Sequence, residues 1–154
     1  MANYGSTVLG DAYFATRLHD EAWDGATEDQ RNRALAEASR RIDRLNFRGA
    51  KTSESQALEW PRVDPKEEFD DDEIPESILI ATYEVAYALL DGVDPDQEYE
   101  NLASSSEGYS SVRTTYNRTT VPEHYAAGIP SRLAWQFLKP LLGNVTGVRL
   151  RRVS

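Results

Sequence analysis

The sequence predicts a mainly α fold: a small four-helix bundle-like domain with an extended β-hairpin arm and a C-terminal tail. Three observations carry that prediction. Apolar residues recur at intervals of three and four along four separate stretches, a short stretch around residues 112–116 alternates with a period of two, and 154 residues fit one domain of ordinary size. The helical connector domain is expected over residues 1–142, with a loop over 51–73 and the arm over 104–121, and the tail over 143–154. No period of 20 to 50 residues repeats, so a solenoid is not indicated.

The first helix is expected from about Thr7 to Leu18. Val8, Ala12, Ala15 and Leu18 fall near one apolar face, Tyr13 and Phe14 widen it, and Ser6 or Thr7 can cap it. A second helix, near residues 28–45, has a stronger signal. Thr27 and Gln30 have the spacing in which each side chain satisfies a free N–H of the first turn. Leu35, Ala38, Ile42 and Leu45 follow as a stripe, with Arg33, Arg40, Arg41 and Arg44 largely off it. Asn46 and Gly49 tolerate the left-handed backbone with which helices often end. From Lys51 to Glu73 the pattern is irregular and predicts a long loop anchored around Leu58-Glu59-Trp60-Pro61-Arg62.

A third helix is expected from Pro75, whose missing N–H costs nothing in a first turn, to Leu90. Between Ile78 and Leu90 only Thr82 and Glu84 interrupt a run of apolar and aromatic residues. A helix apolar all round needs cover on several sides. Three or four helices cover one broad face of it, so the remainder is expected to meet another subunit. The competing reading is a central helix shielded within its own chain, as some small bundles contain.

After the turn-rich stretch Asp91–Asp96, residues 104–121 are expected to be extended, because Val112, Thr114 and Tyr116 alternate with Arg113, Thr115 and Asn117. The fourth helix is expected from about Pro130 to Leu142. Leu133, Ala134, Phe137, Leu138 and Leu141 form its apolar side, and Pro140 perturbs its last turn. Asn144–Ser154 carries Arg149, Arg151 and Arg152 with little to bury, and is expected to order only on a partner.

Composition narrows the chemistry. Asp and Glu number 26 against 17 Lys and Arg, for a net charge of −9, which opposes nonspecific attraction to DNA phosphates or anionic lipid. The charge is uneven: the last third of the chain is basic and the rest strongly acidic. Mean hydropathy is −0.61 and no stretch approaches the roughly 20 apolar residues of a spanning helix, so no membrane is expected. No secretory leader is visible at Met1–Gly10, so synthesis in the host cytoplasm is expected and the Asn-x-Thr triplets at Asn117 and Asn144 are read as chance. The chain has no cysteine, which excludes disulfides, thiolate nucleophiles and sulfur-rich zinc sites.

His19 and His124 have no metal-binding spacing. Asp70, Asp71, Asp72 and Glu73 lack the spaced ligands and turning glycine of a calcium loop, and predict a solvated acidic stretch. The serines at 104–106, 110 and 111 have no signalled base or oxyanion site. No phosphate-cradling glycine motif appears. No enzymatic activity, cofactor or metal is expected. Trp23, Trp60 and Trp135 can stack on bases in principle, but stacking on single strands comes with a positive groove. Core or interface anchoring is the expectation for them.

The run Gly10-Asp11-Ala12-Tyr13-Phe14-Ala15-Thr16-Arg17-Leu18, then Trp23, Ala34-Leu35, Ala38, Arg41-Ile42-Asp43, Gly49, Gln56, Leu58 and Trp60-Pro61-Arg62 resembles the head-to-tail connector proteins of tailed bacteriophages, some of which are labelled DnaT-like single-stranded-DNA-binding proteins. The pattern continues through Ile74-Pro75, Ala81, Leu89-Leu90, Val112–Tyr116 and Ile129-Pro130 to Leu138 and Leu142, and covers most of residues 4–142. Gly10, where the family tends to carry a larger helix former, and Phe47, where tryptophan is common, depart from it.

The resemblance implies a small helical adaptor that forms a dodecameric ring under the portal in the neck of the virion, extends the DNA channel and offers a platform to the tail. The partners it implies are further copies of the chain, the portal protein, a tail or tail-completion protein, and genomic DNA passing through the lumen without sequence-specific binding. The residues expected at subunit or portal contacts are Tyr83 and Tyr87 on the central helix, Val112, Arg113 and Tyr116 in the arm, and Arg149, Arg151 and Arg152 in the tail. The alternative function is a single-stranded-DNA-binding module.

Overall fold

A computed structural model of the chain describes residues 2–112 and 121–143, with the backbone alone for 105–112. The fold is mainly helical, in the order α1 (Thr7–Phe14), α2 (Glu21–Asp24), α3 (Glu28–Asp43), β1 (Ala50–Lys51), β2 (Arg62–Val63), α4 (Glu76–Leu90), α5 (Pro95–Val112), α6 (Glu123–Ala126) and α7 (Arg132–Leu138), followed by a 3-10 turn, Lys139–Leu141. α4 is the hub: it packs against α3 and α7, and more narrowly against α1 and α2.

Each long helix starts where its sequence provides for it. Thr27 and Gln30 form the reciprocal capping box expected for α3, with Thr27 N–H donating to Gln30 Oε1 at 2.9 Å and Gln30 N–H to Thr27 Oγ1 at 3.1 Å. Ser131 Oγ accepts the Ala134 N–H at 3.0 Å and starts α7. α4 follows Pro75 directly, and α7 gives way to a 3-10 turn at Lys139-Pro140, where proline cannot donate to the helix. The core joins Leu35, Ala38 and Ile42 of α3, Ile78, Ala81 and Val85 of α4, and Ala134 and Leu138 of α7, all fully enclosed. Each leucine or isoleucine there contributes about 1.5–3 kcal/mol by leaving water.

The loop after α3 is held by a buried ionic staple. β1 and β2 form one antiparallel pair, Ala50 opposite Val63 and Lys51 opposite Arg62. The buried Arg62 guanidinium donates to the carbonyls of Arg48 (3.0 Å) and Gly49 (2.8 Å) and to Glu59 Oε1 (2.7 Å), so Trp60-Pro61-Arg62 ties the two ends of the loop together. Gly49 has φ +80°, and a Cβ there would sit 2.1 Å from the Val63 carbonyl oxygen. Arg48 reaches the buried Asp64 at 2.7 Å, Glu68 at 2.5 Å and the Pro140 carbonyl at 2.6 Å. Phe47 and Leu142 form a bridge, and Gly143 N–H donates to Asn46 O at 2.8 Å.

Three expectations need correction. Residues 104–112 are helical as part of α5, not extended, and 113–121 lie outside the described residues except Val121. Asp94 explains the helix: its side chain accepts the N–H groups of Asp96 (3.0 Å) and Gln97 (3.3 Å), and Pro95 fills the first position. A strand pair forms instead between Ala50–Lys51 and Arg62–Val63, at the start of and within the region expected to be irregular loop. α1 ends at Phe14 rather than near Leu18, and its apolar stripe points outward.

Candidate functional site

The outward facing of the α1 stripe begins with Gly10. A Cβ at that position would sit 2.6 Å from Cζ2 of Trp23, so the absence of a side chain lets α1 lie against the indole. Phe14, one turn on, stacks on the same ring with centroids 4.8 Å apart. Gly10 and Phe14 therefore define the inner face. Val8, Ala12 and Ala15, with Leu9 and Leu18, face solvent: Val8 is 73%, Leu9 51% and Leu18 85% exposed. A helix apolar on both sides has covered one and left the other open.

Beneath α1 lies a polar cluster inside the chain. Glu84 of α4 is buried and accepts from the Tyr13 hydroxyl at 2.6 Å and from Arg17 Nε at 3.0 Å. The Arg17 guanidinium lies 4.2 Å from the centre of the Tyr87 ring, a cation–π distance. Burial, then the hydrogen bond to Glu84, pushes the Tyr13 hydroxyl pKa upward. Tyr4 donates to Asp43 and accepts the Trp60 N–H at 3.1 Å, joining the start of the chain to the end of α3 and the loop.

These contacts place the expected interface residues. Tyr83 is buried against the backbone at Gly5 and 5.4 Å from the Tyr13 ring, and burial raises its hydroxyl pKa. Tyr87 is half-buried, between Arg17 and Phe14. Val112 is the last residue of α5. Arg113, Tyr116, Arg149, Arg151 and Arg152 lie outside the described residues. Glu76 is the one exposed residue of α4. α1, α2, α3 and α7 pack around α4 and leave Leu79, Ile80, Tyr87, Leu89 and Leu90 half-buried, while exposed apolar side chains stand at Val8 and Leu9 of α1 and at Leu18 beyond it.

The tryptophans are core residues, as the net charge argued. Trp23 is 2%, Trp60 1% and Trp135 9% exposed, so none offers a face to a base. The exposed aromatic among the described side chains is Tyr99, beside Asp96 and Glu100 at the rim of a 310 Å³ hollow, where carboxylates repel phosphate. The cations of the described body are largely committed: Arg31 to Asp11, Arg33 to Asp29, Arg41 to Glu37, Arg48 to Asp64, Lys139 to Glu123. Residues 113–120 and 144–154, by contrast, contain five arginines and no carboxylate.

The acidic run Asp70–Asp72 lines an open 570 Å³ hollow with Asp64, Glu67 and Phe69. Asp64 is taken by Arg48, and the described residues hold no His/Cys/Asp/Glu cluster arranged for a metal. His19 is exposed. His124 is buried on α6 with Nδ1 3.1 Å from the Ile129 carbonyl oxygen, as a neutral ring donating there would be. Burial lowers its pKa.

Sequence reasoning missed the outward stripe because spacing identifies an apolar face and cannot say which of two such faces turns inward. Gly10 facing Trp23 was the available signal. Residues 2–153 match the sequence profile of a family described as "Putative DnaT-like ssDNA binding protein". No curated protein and no solved structure matches the chain.

Proposed function

The chain belongs to this DnaT-like family, and from that premise we propose that it is a structural adaptor of a tailed-phage virion, catalysing nothing and assembling as a ring under the portal. The ring lengthens the DNA channel and presents a platform to the tail. The observation that carries this reading is the outward face of α1 and the turn after it: the core is complete without Val8 and Leu9 of α1 and Leu18 just beyond its end, yet all three stand exposed. Such a patch marks an association surface. The acidic body supports the same reading, because a wall that repels phosphate lets DNA pass without holding it.

A ring needs two different complementary faces on each subunit, and the uneven charge supplies material for them. The test is the mass of the free protein by sedimentation, together with an image of the neck of the virion. A closed ring of identical copies seated on the portal is the expected result. A chain absent from the neck would end the adaptor reading.

The family description favours a second reading, a single-stranded-DNA-binding module. The arginines of 113–120 and 144–154, with Tyr116 among them, are the residues that would bind. Fluorescence anisotropy with a labelled oligonucleotide at low salt separates the two. Tight binding that weakens steeply as salt rises, because phosphate contacts release counterions, supports the second reading. Absence of binding supports the adaptor.

A further inference from the structure

We propose that the outward stripe of α1 receives residues 144–154 of a second copy of this chain. The inference rests on the ring reading and names the contact that would build the ring. Chemistry selects the occupant. Residues 6–24, which carry the stripe, include Asp20, Glu21 and Asp24, and Asp11 paired to Arg31, against one arginine of their own, Arg17, itself bound to Glu84. A second copy of residues 6–24 would bring like charge against like. Phosphate would be repelled for the same reason.

Residues 144–154 have the opposite character: Val148, Leu150 and Val153 interleave with arginines and no carboxylate is present. Laid out as an extended strand, Val148-Arg149-Leu150-Arg151 presents apolar side chains to one side and guanidinium groups to the other. The four alternating residues from 148 to 151 would span about 13 Å, enough to follow the eight-residue α1, about 12 Å long. The contact joins a body face on one copy to a chain segment of the next. It is therefore heterologous, and can close into a ring by repetition. A segment folded back on its own α1 would satisfy both partners and leave nothing to join copies.

The test uses the full chain and sedimentation equilibrium across a concentration series. One variant carries Val8→Asp and Leu18→Asp. The other carries Arg149→Glu, Arg151→Glu and Arg152→Glu. All five changes lie off the described core, and a control, Leu133→Asp on the exposed part of α7, checks for nonspecific effects. The wild type and the control should assemble. Each variant alone should associate at least about tenfold more weakly and sediment as one chain.

The two variants mixed in equal amounts should form a species of two chains and stop there, because the first supplies an intact segment and the second an intact stripe. A mixture that stays monomeric while the wild type assembles would overturn the proposed contact, and so would assembly of either variant at wild-type strength; in both cases the ring itself stands. A wild type that remains a single chain at every concentration would overturn the contact and the self-assembled ring together.

Discussion

Asp64→Ala should be among the costliest single changes in this protein, and the reason lies in what the carboxylate holds. Asp64 is buried and accepts from Arg48 Nε at 2.7 Å, from the Lys66 N–H at 3.2 Å and from the Glu68 N–H at 2.8 Å. Arg48 is only 10% exposed. Removing one partner of a buried pair costs about 3–5 kcal/mol, because the remaining charge loses its counterion. Arg48 would keep Glu68 and the Pro140 carbonyl, which places the expected loss near the lower end, about 3 kcal/mol at pH 7. For a chain of this size that is a fall in Tm of about 6–12 °C.

The pH dependence gives a sharper readout. Arg48 and the two backbone donors hold the Asp64 carboxyl well below the usual carboxylate range in the folded protein. Below about pH 4 the unfolded chain therefore takes up a proton that the folded one refuses. Stability from this group is fully present above that pH and is lost as pH falls further. Urea denaturation from pH 7 to pH 2.5 should show a steeper acid loss in the wild type than in Asp64→Ala. A variant that loses under about 1 kcal/mol at pH 7, with an unchanged acid slope, would refute the argument.

Glu84→Ala should cost about 3 kcal/mol by calorimetry, since it strips the counterion from Arg17 and the acceptor from Tyr13 beneath α1. Gly10→Ala tests the close approach to Trp23: helix propensity favours alanine by about 1 kcal/mol, but overpacking against an aromatic wall costs about 1–3 kcal/mol. Net destabilisation with altered tryptophan fluorescence is expected. His124 is held neutral by burial, and its lowered folded pKa means that stability falls as pH drops below about 6.5, where the unfolded ring takes up a proton. His124→Gln should flatten that part of a pH–Tm curve; Glu123, whose carboxyl is lowered mainly by Lys139, titrates below it.

The parts of the fold legible in the sequence are those whose signals are local. The capping box at Thr27 and Gln30 and the Leu35–Ile42 stripe give α3 nearly to its ends, and Pro75 with the apolar run gives α4. Pro140 marks where α7 tightens. α5 escaped because its serines and Gly108 have weak helical preference, while its start at Asp94-Pro95 combines a side-chain acceptor with a first-turn proline. Such a start has the residues of a turn. The cover of α4 was not legible, because it depends on how four other elements fold back over it. The apolar face of α1 is legible but its direction is not, since no rule of spacing distinguishes the face that meets Trp23 from the one that meets water.

The bond between Gly143 and Asn46 has a further consequence. With Leu142 bridged to Phe47 beside it, the backbone is pinned as far as Gly143, next to the root of the 47–63 loop. Whatever path the eleven residues 144–154 follow, their contour limits them to about 40 Å from that post. Arg149, Arg151 and Arg152 thus serve one neighbourhood of the molecule, and a partner seated beyond that radius is out of range however strongly its charge attracts them.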